Sequence, residues 1–384
     1  MTTTTDTEAL RARLVAQLQD DGILRDPSWI AAFSDTPRGV FVPYYFETRT
    51  DRPGWRLIER TDEWRDGVYR NTAHTTQLDN TTDALHAARR GEIVKGQPTS
   101  SSSAPSLMAL MLEALDVHDG HRVLEIGTGS GYNAALLCRR LGADHVTSVD
   151  VDPALVDLAR DRLAKLGYTP HLAAVDGRDG CPERAPFDRI IATVGLHRVP
   201  GAWIDQTAPG GLILVPLLVG GLLARLTVDI QGHAEGMFLP DAGMFMPTRD
   251  QQTPAATIPH RDAATTEPEA SALPAKVATG REFEFFATLH TGPYSRIGFT
   301  PVDGTPSETW LIRPDGSWVC HTAPESDQYV VRQGGPARLW DTIEKAHQQW
   351  DTLGRPPRER FGLTVDGGEH RVWLDEPSNV ITSL

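Results

Sequence analysis

Cysteine, positive charge and long apolar runs are all scarce in this sequence. The chain has 384 residues and three cysteines, Cys138, Cys181 and Cys320, which lie far apart and lack metal-ligand spacing. We therefore expect reduced thiols, a cytoplasmic protein and no metal site. The formal net charge is -14. Because an acidic chain repels phosphate backbones, this charge argues against nucleic acid as a partner.

Signals for secretion or membrane insertion are also missing. The first residues, MTTTTDTEAL, lack a basic region followed by an apolar one. The most apolar stretch, GGLILVPLLVGGLLARL, is interrupted by Pro216, Gly220 and Gly221. It falls short of the roughly 18 consecutive apolar residues that a membrane-spanning helix needs. We therefore expect no signal peptide and no membrane partner.

Short apolar stretches alternate with helical ones between residues 121 and 217. The β-like stretches are RVLEIG, HVTSVDVD, PHLAAVDG, FDRIIATVG and GGLILVPL, and helical patterns separate most of them. This alternation predicts an α/β fold with a doubly wound parallel sheet, covered by helices on both faces.

The flanking regions have other patterns. EALRARLVAQLQD predicts a helix over residues 8–20, and SWIAAFSDTPRGVFVP predicts a helix ending before Pro37 and a short strand to Pro43. Residues 247–280, rich in Pro, Ala and Thr, predict a linker. From residue 281 aromatic and β-like stretches such as REFEFFATL return, with a helix near 337–352 and a hairpin turning at Gly367-Gly368.

The stretch VLEIGTGSGYNAALL places Gly127, Gly129 and Gly131 between a strand and a helix. Glycines let a ligand approach the main chain closely. Glu125 would repel a pyrophosphate there, and Asp150 at the end of the next strand can accept hydrogen bonds from two ribose hydroxyls. A cationic nucleoside without phosphate, S-adenosylmethionine (SAM), fits such a loop better than NAD. The alternative is a tight turn that binds nothing.

Several of these stretches together resemble the class I SAM-dependent methyltransferases and, more narrowly, the protein-L-isoaspartate O-methyltransferase family. They are VLEIGTGSGYNAALL, SVDVDPALVDLAR, VDGRDGCPERAPFDRIIATVG, PGGLILVPL and DTPRGVFVP, and the resemblance covers residues 8–220. It implies a Rossmann-like methyltransferase core over 107–246, preceded by a helical, substrate-binding segment over 1–106. The linker over 247–280 and a smaller β-rich accessory domain over 281–384 complete the expected organisation.

The resemblance also implies which residues hold SAM. The glycine loop and Glu125 would hold the methionine end, Asp150 the ribose, and Asp176 with Gly177 the adenine. The family usually has Gly where Val175 stands and Glu where Asp150 stands. The expected cofactor-binding residues are Glu125, Gly127, Thr128, Gly129, Ser130, Asp150, Val151, Asp176 and Gly177.

The acceptor side departs from the family pattern, which has one serine in a GQTIS-like stretch followed by x-Pro. This chain has GQPTSSSSAPS. Alignment on Gly96-Gln97 points to Ser100, whereas alignment on x-Pro points to Ser103, which we favour; a helix cap plus a flexible tether is the alternative. The expected catalytic candidates are Ser100, Ser101, Ser102 and Ser103, and the expected substrate-binding residues are Thr99, Val194 and His197. We expect His197 to line the pocket rather than to act as a base.

A carboxylate acceptor explains why no Lys or His base is evident beside the glycine loop. A carboxylate is already ionised at pH 7, so the site needs orientation, desolvation and donors that hold one oxygen. We assign the donor task to Ser103. The resulting methyl ester would collapse to a succinimide, which hydrolyses to aspartate or isoaspartate.

The extension after residue 220 and the altered serine segment resemble longer family members that methylate aspartate in ribosomally made peptides such as lanthipeptides. We therefore expect a peptide or protein substrate with Asp or isoAsp, and peptide tailoring rather than repair. Isoaspartate repair, a small-molecule methyltransferase and a non-catalytic SAM-binding adaptor are the alternatives. The sequence does not indicate an oligomeric state.

Overall fold

The structure is a computed structural model that describes residues 3–249, 257–299, 307–323 and 329–384. The chain divides into two compact units. The first comprises Met1–Val194, Val199–Val215 and Arg225–Ala234, and the second comprises Gly195–Arg198, Pro216–Ala224 and Glu235–Leu384. The second unit is therefore discontinuous in sequence, unlike the predicted accessory domain over 281–384.

The described α-helices range from one turn to 18 residues. They are α1 Thr3–Asp20, α2 Pro27–Asp35, α3 Arg38–Phe41, α4 Asp62–Val68, α5 Asp83–Arg89, α6 Pro105–Leu115, α7 Tyr132–Leu141, α8 Pro153–Ala164, α9 Gly201–Asp205, α10 His260–Thr265, α11 Ala275–Ala278, α12 Arg281–Thr291 and α13 Leu339–Thr352. None of these helices combines the length and apolar composition that crossing a bilayer requires.

The described strands form both parallel and antiparallel pairs. They are β1 Tyr44–Thr48, β2 Trp55–Glu59, β3 His74–Leu78, β4 Pro98–Ser102, β5 Val123–Ile126, β6 Val146–Asp150, β7 His171–Ala174, β8 Phe187–Ala192, β9 Thr207–Leu217, β10 Leu222–Val228, β11 Ala234–Ala242, β12 Glu269–Ser271, β13 Ser295–Phe299, β14 Ser307–Ile312, β15 Trp318–Ala323, β16 Tyr329–Gly334, β17 Phe361–Asp366, β18 Glu369–Leu374 and β19 Val380–Ser383.

The first unit contains the predicted parallel sheet, with the strand order β9-β8-β5-β6-β7. Its register pairs Ile126 with both Val149 and Ala192, and Asp150 with Ala174. The carboxyl ends of these strands therefore meet at one edge, where doubly wound folds bind their ligands. The α/β fold class is confirmed.

Ahead of this sheet, residues 44–102 form a small antiparallel sheet with the order β2-β1-β3-β4. The first three residues of the serine run lie in its edge strand β4, where Ser101 pairs with Thr75 and Ser102 with His74, and Ser103 follows the strand. The alternative that these serines cap a helix is wrong, because the N-cap of α6 is Ala104 and makes no side-chain hydrogen bond. The N-terminal segment is thus mixed α and β rather than helical.

Two local predictions are wrong. Residues 38–41 form the short helix α3 instead of a strand, because Pro37 stands at its N-cap and the Arg38 side chain is fully buried. REFEFFATL forms the helix α12 rather than a strand. Its Phe283, Phe285 and Phe286 are all buried, which the alternating faces of a half-exposed strand would not allow.

The second unit contains a five-stranded antiparallel sheet with the order β12-β16-β15-β14-β13 and a further group with the order β19-β18-β17-β11. Trp310 and Trp318 pack in its core, as expected of a β-rich region. The helix α13 and the hairpin at Gly367-Gly368 are confirmed, with Asp366 opposite Glu369. Part of the predicted linker belongs to this unit, because β12 pairs with β16; residues 250–256 lie outside the described chain.

Candidate cofactor and acceptor site

The loop between β5 and α7 depends on its glycines. Gly127, Gly129 and Gly131 have φ angles of +97°, +50° and +86°, a region that side chains disfavour. A Cβ atom on Gly127 would also lie 2.7 Å from the Oγ1 of Thr193. The N–H of Gly127 donates to the carbonyl of Val149 at 2.8 Å. The loop is therefore folded tightly onto the end of β6.

Glu125 supports this loop from inside the protein. Its side chain is completely buried, one oxygen accepts from Asn133 Nδ2 at 2.8 Å, and the other accepts from the Ser148 hydroxyl. The Ser148 Oγ lies 2.7 Å from the Oγ1 of Thr128 in the loop. Burial raises the pKa of Glu125 to about 7. In this structure Glu125 positions the loop; its direct contact with SAM stays a prediction.

Asp150 ends β6 beside the loop. Its Oδ2 accepts from the Gly129 N–H at 2.9 Å and its Oδ1 accepts from the Asp152 N–H at 3.0 Å. Next to it, Val151 is 49% exposed and Val175 is 38% exposed. The Val175 N–H donates to the Asp150 carbonyl at 3.0 Å, which holds the two strand ends together. The two carboxylate oxygens of Asp150 suit the hydroxyls of a ribose, and the exposed apolar side chains beside them suit a flat base. Together they suit a nucleoside.

Asp176 follows β7 and lies at the same edge of the sheet. It accepts from the Arg178 N–H at 2.9 Å and from Arg178 Nη2 at 2.6 Å. The hydrogen bonds from Arg178 lower the pKa of Asp176, so this carboxylate is ionised at neutral pH. A Cβ on Gly177 would lie 2.6 Å from Ile126, and the Gly177 carbonyl accepts from Trp203 Nε1 at 2.8 Å. The loop after β7 is therefore fixed where the adenine is expected.

The strand β4, which contains Ser100, Ser101 and Ser102 and is called the serine strand below, lies against the glycine loop. The position that a Cβ atom would take on Gly129 is 3.7 Å from the Ser100 Oγ and 3.8 Å from the Ser101 carbonyl oxygen. Ser100 is buried and its hydroxyl accepts from Thr76 Oγ1 at 3.2 Å. The structure thus brings together two sequence-predicted groups, although their direct roles in binding and catalysis stay predictions.

Arg38 holds the other end of the serine strand, and sequence reasoning missed it. Its buried guanidinium donates only to oxygens of uncharged groups among the described residues: the carbonyls of Val68, Arg70, Thr72, Ser102 and Ser103, and the Ser102 hydroxyl. Desolvation lowers the pKa of Arg38 to about 10, so it stays charged at neutral pH. The sequence feature that could have pointed to Arg38 is its position directly after Pro37 in DTPRGVFVP.

The serines at positions 101 and 103 differ from their neighbours. Both are half-buried, whereas Ser100 and Ser102 are buried. Within the described part of the chain, the hydroxyls of Ser101 and Ser103 make no hydrogen bond, although the Ser103 carbonyl is held by Arg38 at 3.0 Å. These two hydroxyls are the ones in the run that remain available to a substrate.

The three expected substrate-binding residues have separate surroundings. The Thr99 hydroxyl donates to Gln77 Oε1 at 2.9 Å and accepts from the Asn80 N–H at 2.9 Å. Val194 lies beside the glycine loop, since its Cγ1 is 2.9 Å from the position of a Cβ on Gly127. His197 is exposed and belongs to the second unit, so its place in an acceptor pocket stays a prediction.

Comparisons with known proteins agree with this arrangement. The profile of the family described as "Protein-L-isoaspartate(D-aspartate) O-methyltransferase (PCMT)" matches residues 76–232. A protein-L-isoaspartate O-methyltransferase of Methanopyrus kandleri is 33% identical over 210 residues, which cover 54% of this chain and 76% of the relative. One from Thermococcus onnurineus is 43% identical over 214 residues, which cover 55% of this chain and 80% of the relative.

The similarity in fold extends further along the chain. A solved structure named protein-L-isoaspartate O-methyltransferase superposes with a TM-score of 0.52 at 22% identity, covering 95% of this chain and all of the other. This match shows a class I methyltransferase fold, accompanied here by a β-rich C-terminal region. With the coverage and identity of the two relatives, it follows that the chain belongs to the protein-L-isoaspartate O-methyltransferase family, a family of SAM-dependent enzymes.

Proposed function

We propose that this protein transfers the methyl group of SAM to a side-chain carboxylate of an aspartyl or isoaspartyl residue in a peptide or protein. One observation carries the proposal. The glycine loop, Asp150 and Asp176 lie at one edge of the parallel sheet, and the serine strand packs against Gly129. A cofactor loop and a set of hydroxyl donors are therefore adjacent, as methyl transfer to a carboxylate requires.

The cofactor position follows from the three strand ends. Asp150 accepts hydrogen bonds from the ribose hydroxyls, and Asp176 accepts one from the exocyclic amine of adenine. The exposed Val151 and Val175 cover the faces of the base. Two carboxylates beside the loop disfavour a pyrophosphate and suit the cationic sulfonium of SAM. Glu125 supports the loop through Ser148 and Thr128.

The acceptor position follows from the serine strand. The half-buried Ser103 hydroxyl donates to one oxygen of the substrate carboxylate, while Arg38 fixes the Ser103 main chain. The second carboxylate oxygen attacks the methyl carbon, and the bond from carbon to sulfur breaks. The products are a methyl ester and S-adenosylhomocysteine. A general base is not needed, because the carboxylate is ionised at neutral pH.

The ester then leads to a ring in the peptide. The backbone nitrogen of the next residue attacks the ester carbonyl, loses its proton and expels methanol, which leaves a succinimide. Water opens this ring to aspartate or isoaspartate. Repair of isoaspartate and tailoring of a dedicated peptide share these steps, and they differ only in the substrate.

We favour tailoring because of the serine strand, with repair as the second candidate. Three consecutive serines, Ser100 to Ser102, belong to the edge strand β4 of the small sheet and Ser103 follows directly after it, and the free side of an edge strand can pair with an extended peptide. The second unit alone does not favour tailoring, because the fold match to a structure with the family name covers 95% of this chain.

The second unit offers a surface for peptide selection. A pocket of about 470 Å³ in this unit is lined by Phe285, Trp350, Arg281, Arg355 and Arg358, among others. Two of the arginines lie over aromatic rings, at 5.8 Å for Arg355 on Trp350 and 5.4 Å for Arg358 on Phe285. The lining also contains Asp241, Glu282 and Glu359, so the guanidinium groups are the part of this pocket that suits acidic side chains of a peptide.

The test is to incubate the purified protein with SAM and with matched peptides that contain isoaspartate, aspartate or asparagine at one position. Intact-mass analysis should show one added methyl group on the isoaspartate or aspartate peptide, and mild alkali should release methanol. A methyl group that survives alkali would contradict a carboxylate acceptor. SAM binding without transfer to any of the carboxylate peptides would favour the adaptor alternative.

A further inference from the structure

Three potential metal ligands converge beside the parallel sheet of the first unit. His171 begins β7, and Cys181 and Glu183 lie in the segment that leads to β8. Their ligand atoms all lie within 4.8 Å of one another. The Cys181 Sγ is 3.1 Å from Glu183 Oε1, and the His171 Nε2 is 3.8 Å from the same oxygen. This cluster is separate from the strand ends that form the cofactor site.

One of these ligand atoms has no hydrogen-bond partner among the described residues. The Nε2 of His171 is shielded from solvent and makes no hydrogen bond to the described residues. A buried polar atom without a hydrogen bond destabilises the folded state. Because Nε2 lies 3.8 Å from Glu183 Oε1, a cation bound among the three residues would give it a partner.

We propose that His171, Cys181 and Glu183 bind one Zn²⁺ ion. Thiolate, imidazole and carboxylate are the usual zinc ligands. In a tetrahedral zinc site the ligand atoms lie about 3.5 Å apart, and the two measured separations lie on either side of that value. The ion replaces the proton of the Cys181 thiol, which passes to solvent. Water fills the fourth position, since the group contains three residues.

The site has an entry path and a rigid support. The Glu183 side chain is 59% exposed, so the ion reaches the buried thiol from solvent on the Glu183 side. The main chain at Cys181 is fixed, because its N–H donates to Gln206 Oε1 at 2.7 Å. The ion would tie β7 to the segment that follows Asp176. The sequence predicts no metal site here because its cysteines are isolated and these ligands come from different elements.

The experiment uses the full chain, freed of metal by dialysis against a chelator. Equilibrium dialysis with Zn²⁺ should give one ion per chain, and Co²⁺ should give a tetrahedral spectrum with a thiolate charge-transfer band. Glu183→Gln, at an exposed position, should weaken Zn²⁺ binding at least about tenfold. Cys181→Ser should remove the charge-transfer band. Cys320→Ser is the matched control, because Cys320 is equally buried and belongs to no such group among the described residues.

The outcomes separate the proposal from a structural role of these residues. Stoichiometric Zn²⁺ binding that is lost in Cys181→Ser and weakened in Glu183→Gln, but kept in Cys320→Ser, supports it. If the folded wild-type chain takes up no Zn²⁺, or if both Cys181→Ser and Glu183→Gln bind it as the wild type does, the proposal is wrong. Circular dichroism checks that each variant is folded. Neither result depends on the proposed methyltransferase activity.

Discussion

The Nη2 of Arg38 donates a hydrogen bond to the carbonyl oxygen of Ser103 at 3.0 Å. Through this bond and its neighbours, one buried guanidinium joins the end of the serine strand to the last residue of α4 and the segment that follows it. A charged donor that serves only uncharged oxygens is an efficient brace for irregular backbone, because it can satisfy several carbonyls at once. The position of the serine strand therefore depends on Arg38.

Replacing Arg38 should cost much stability. Arg38→Met leaves several buried carbonyls without a donor, so we expect the free energy of unfolding to fall by about 3 kcal/mol or more. Urea denaturation monitored by circular dichroism measures the change. Arg139→Ala is the control, because Arg139 lies at the surface in a pair with Asp35 and should change stability by less than about 0.5 kcal/mol. Equal stability of Arg38→Met and the wild type would rule out the brace.

Glu125 should make stability depend on pH. Burial raises its pKa from 4.5 to about 7, so the folded state holds a proton that the unfolded state has lost between these values. The proton bound by Glu125 stabilises the folded state relative to the unfolded state, and this contribution is lost as the pH rises from about 5 to about 8. The Glu125→Gln variant lacks this titration. Its free energy of unfolding should therefore rise relative to that of the wild type by on the order of 3 kcal/mol over that range.

The structure can accommodate this substitution. The Oδ1 of Asn133 is buried without a hydrogen bond to the described residues, and a flip of the Asn133 amide would let this oxygen accept from the amide group that Glu125→Gln introduces. Urea denaturation at both ends of the pH range measures the effect, with Glu8→Gln on the exposed face of α1 as the control. Parallel pH profiles for Glu125→Gln and the wild type would contradict the raised pKa.

Asp150 should contribute directly to cofactor affinity. Asp150→Ala removes the proposed ribose acceptor and the contact to the Gly129 N–H, and we expect SAM binding to weaken by about 1.5–3 kcal/mol. Isothermal titration calorimetry measures the affinity. Asp161→Ala, at an exposed position on α8, is the matched control and should bind SAM as the wild type does. Unchanged affinity in Asp150→Ala would overturn the assignment of the ribose site.

The sequence predicts the local parts of this site better than the distant ones. The glycine loop and Asp150 belong to single strand-to-loop patterns, so their spacing finds them, and the family resemblance adds Asp176 at the next strand end. Arg38 and Glu125 gain their roles from partners far along the chain, such as Ser103 and Ser148, which no local pattern contains. The α12 residues Phe285 and Phe286 were misassigned for the same reason, because tertiary burial on all sides overrides an alternating pattern.

Ser103 should act on the rate of methyl transfer. Loss of one hydrogen bond to the charged substrate carboxylate costs about 1.5–3 kcal/mol, so kcat/KM of Ser103→Ala should fall by about tenfold to 150-fold. SAM affinity should not change, because Ser103 is not assigned to the cofactor. Steady-state kinetics with a methyl-accepting peptide measures this, with Ser106→Ala on α6 as the control. A fall in Ser101→Ala but not in Ser103→Ala would move the role to Ser101.

The last prediction concerns peptide selection by the second unit. Truncation after residue 246 is a poor test, because the unit also contains Gly195–Arg198 and Pro216–Ala224, which would lose their folding partners. Surface substitutions in its pocket avoid this problem. Arg281 and Arg355 are exposed and line the pocket, so replacing both with Ala should leave the fold and SAM affinity intact.

If these arginines hold acidic side chains of the peptide, the double variant should raise KM for the peptide several-fold and leave kcat unchanged, since such contacts bind substrate and transition state equally. The effect should also shrink at high salt, because the contacts are exposed to solvent. Arg371→Ala, at a surface arginine of the same unit outside the pocket, controls for the loss of a surface positive charge. If the double variant and Arg371→Ala show the same KM as the wild type, the pocket does not select the peptide.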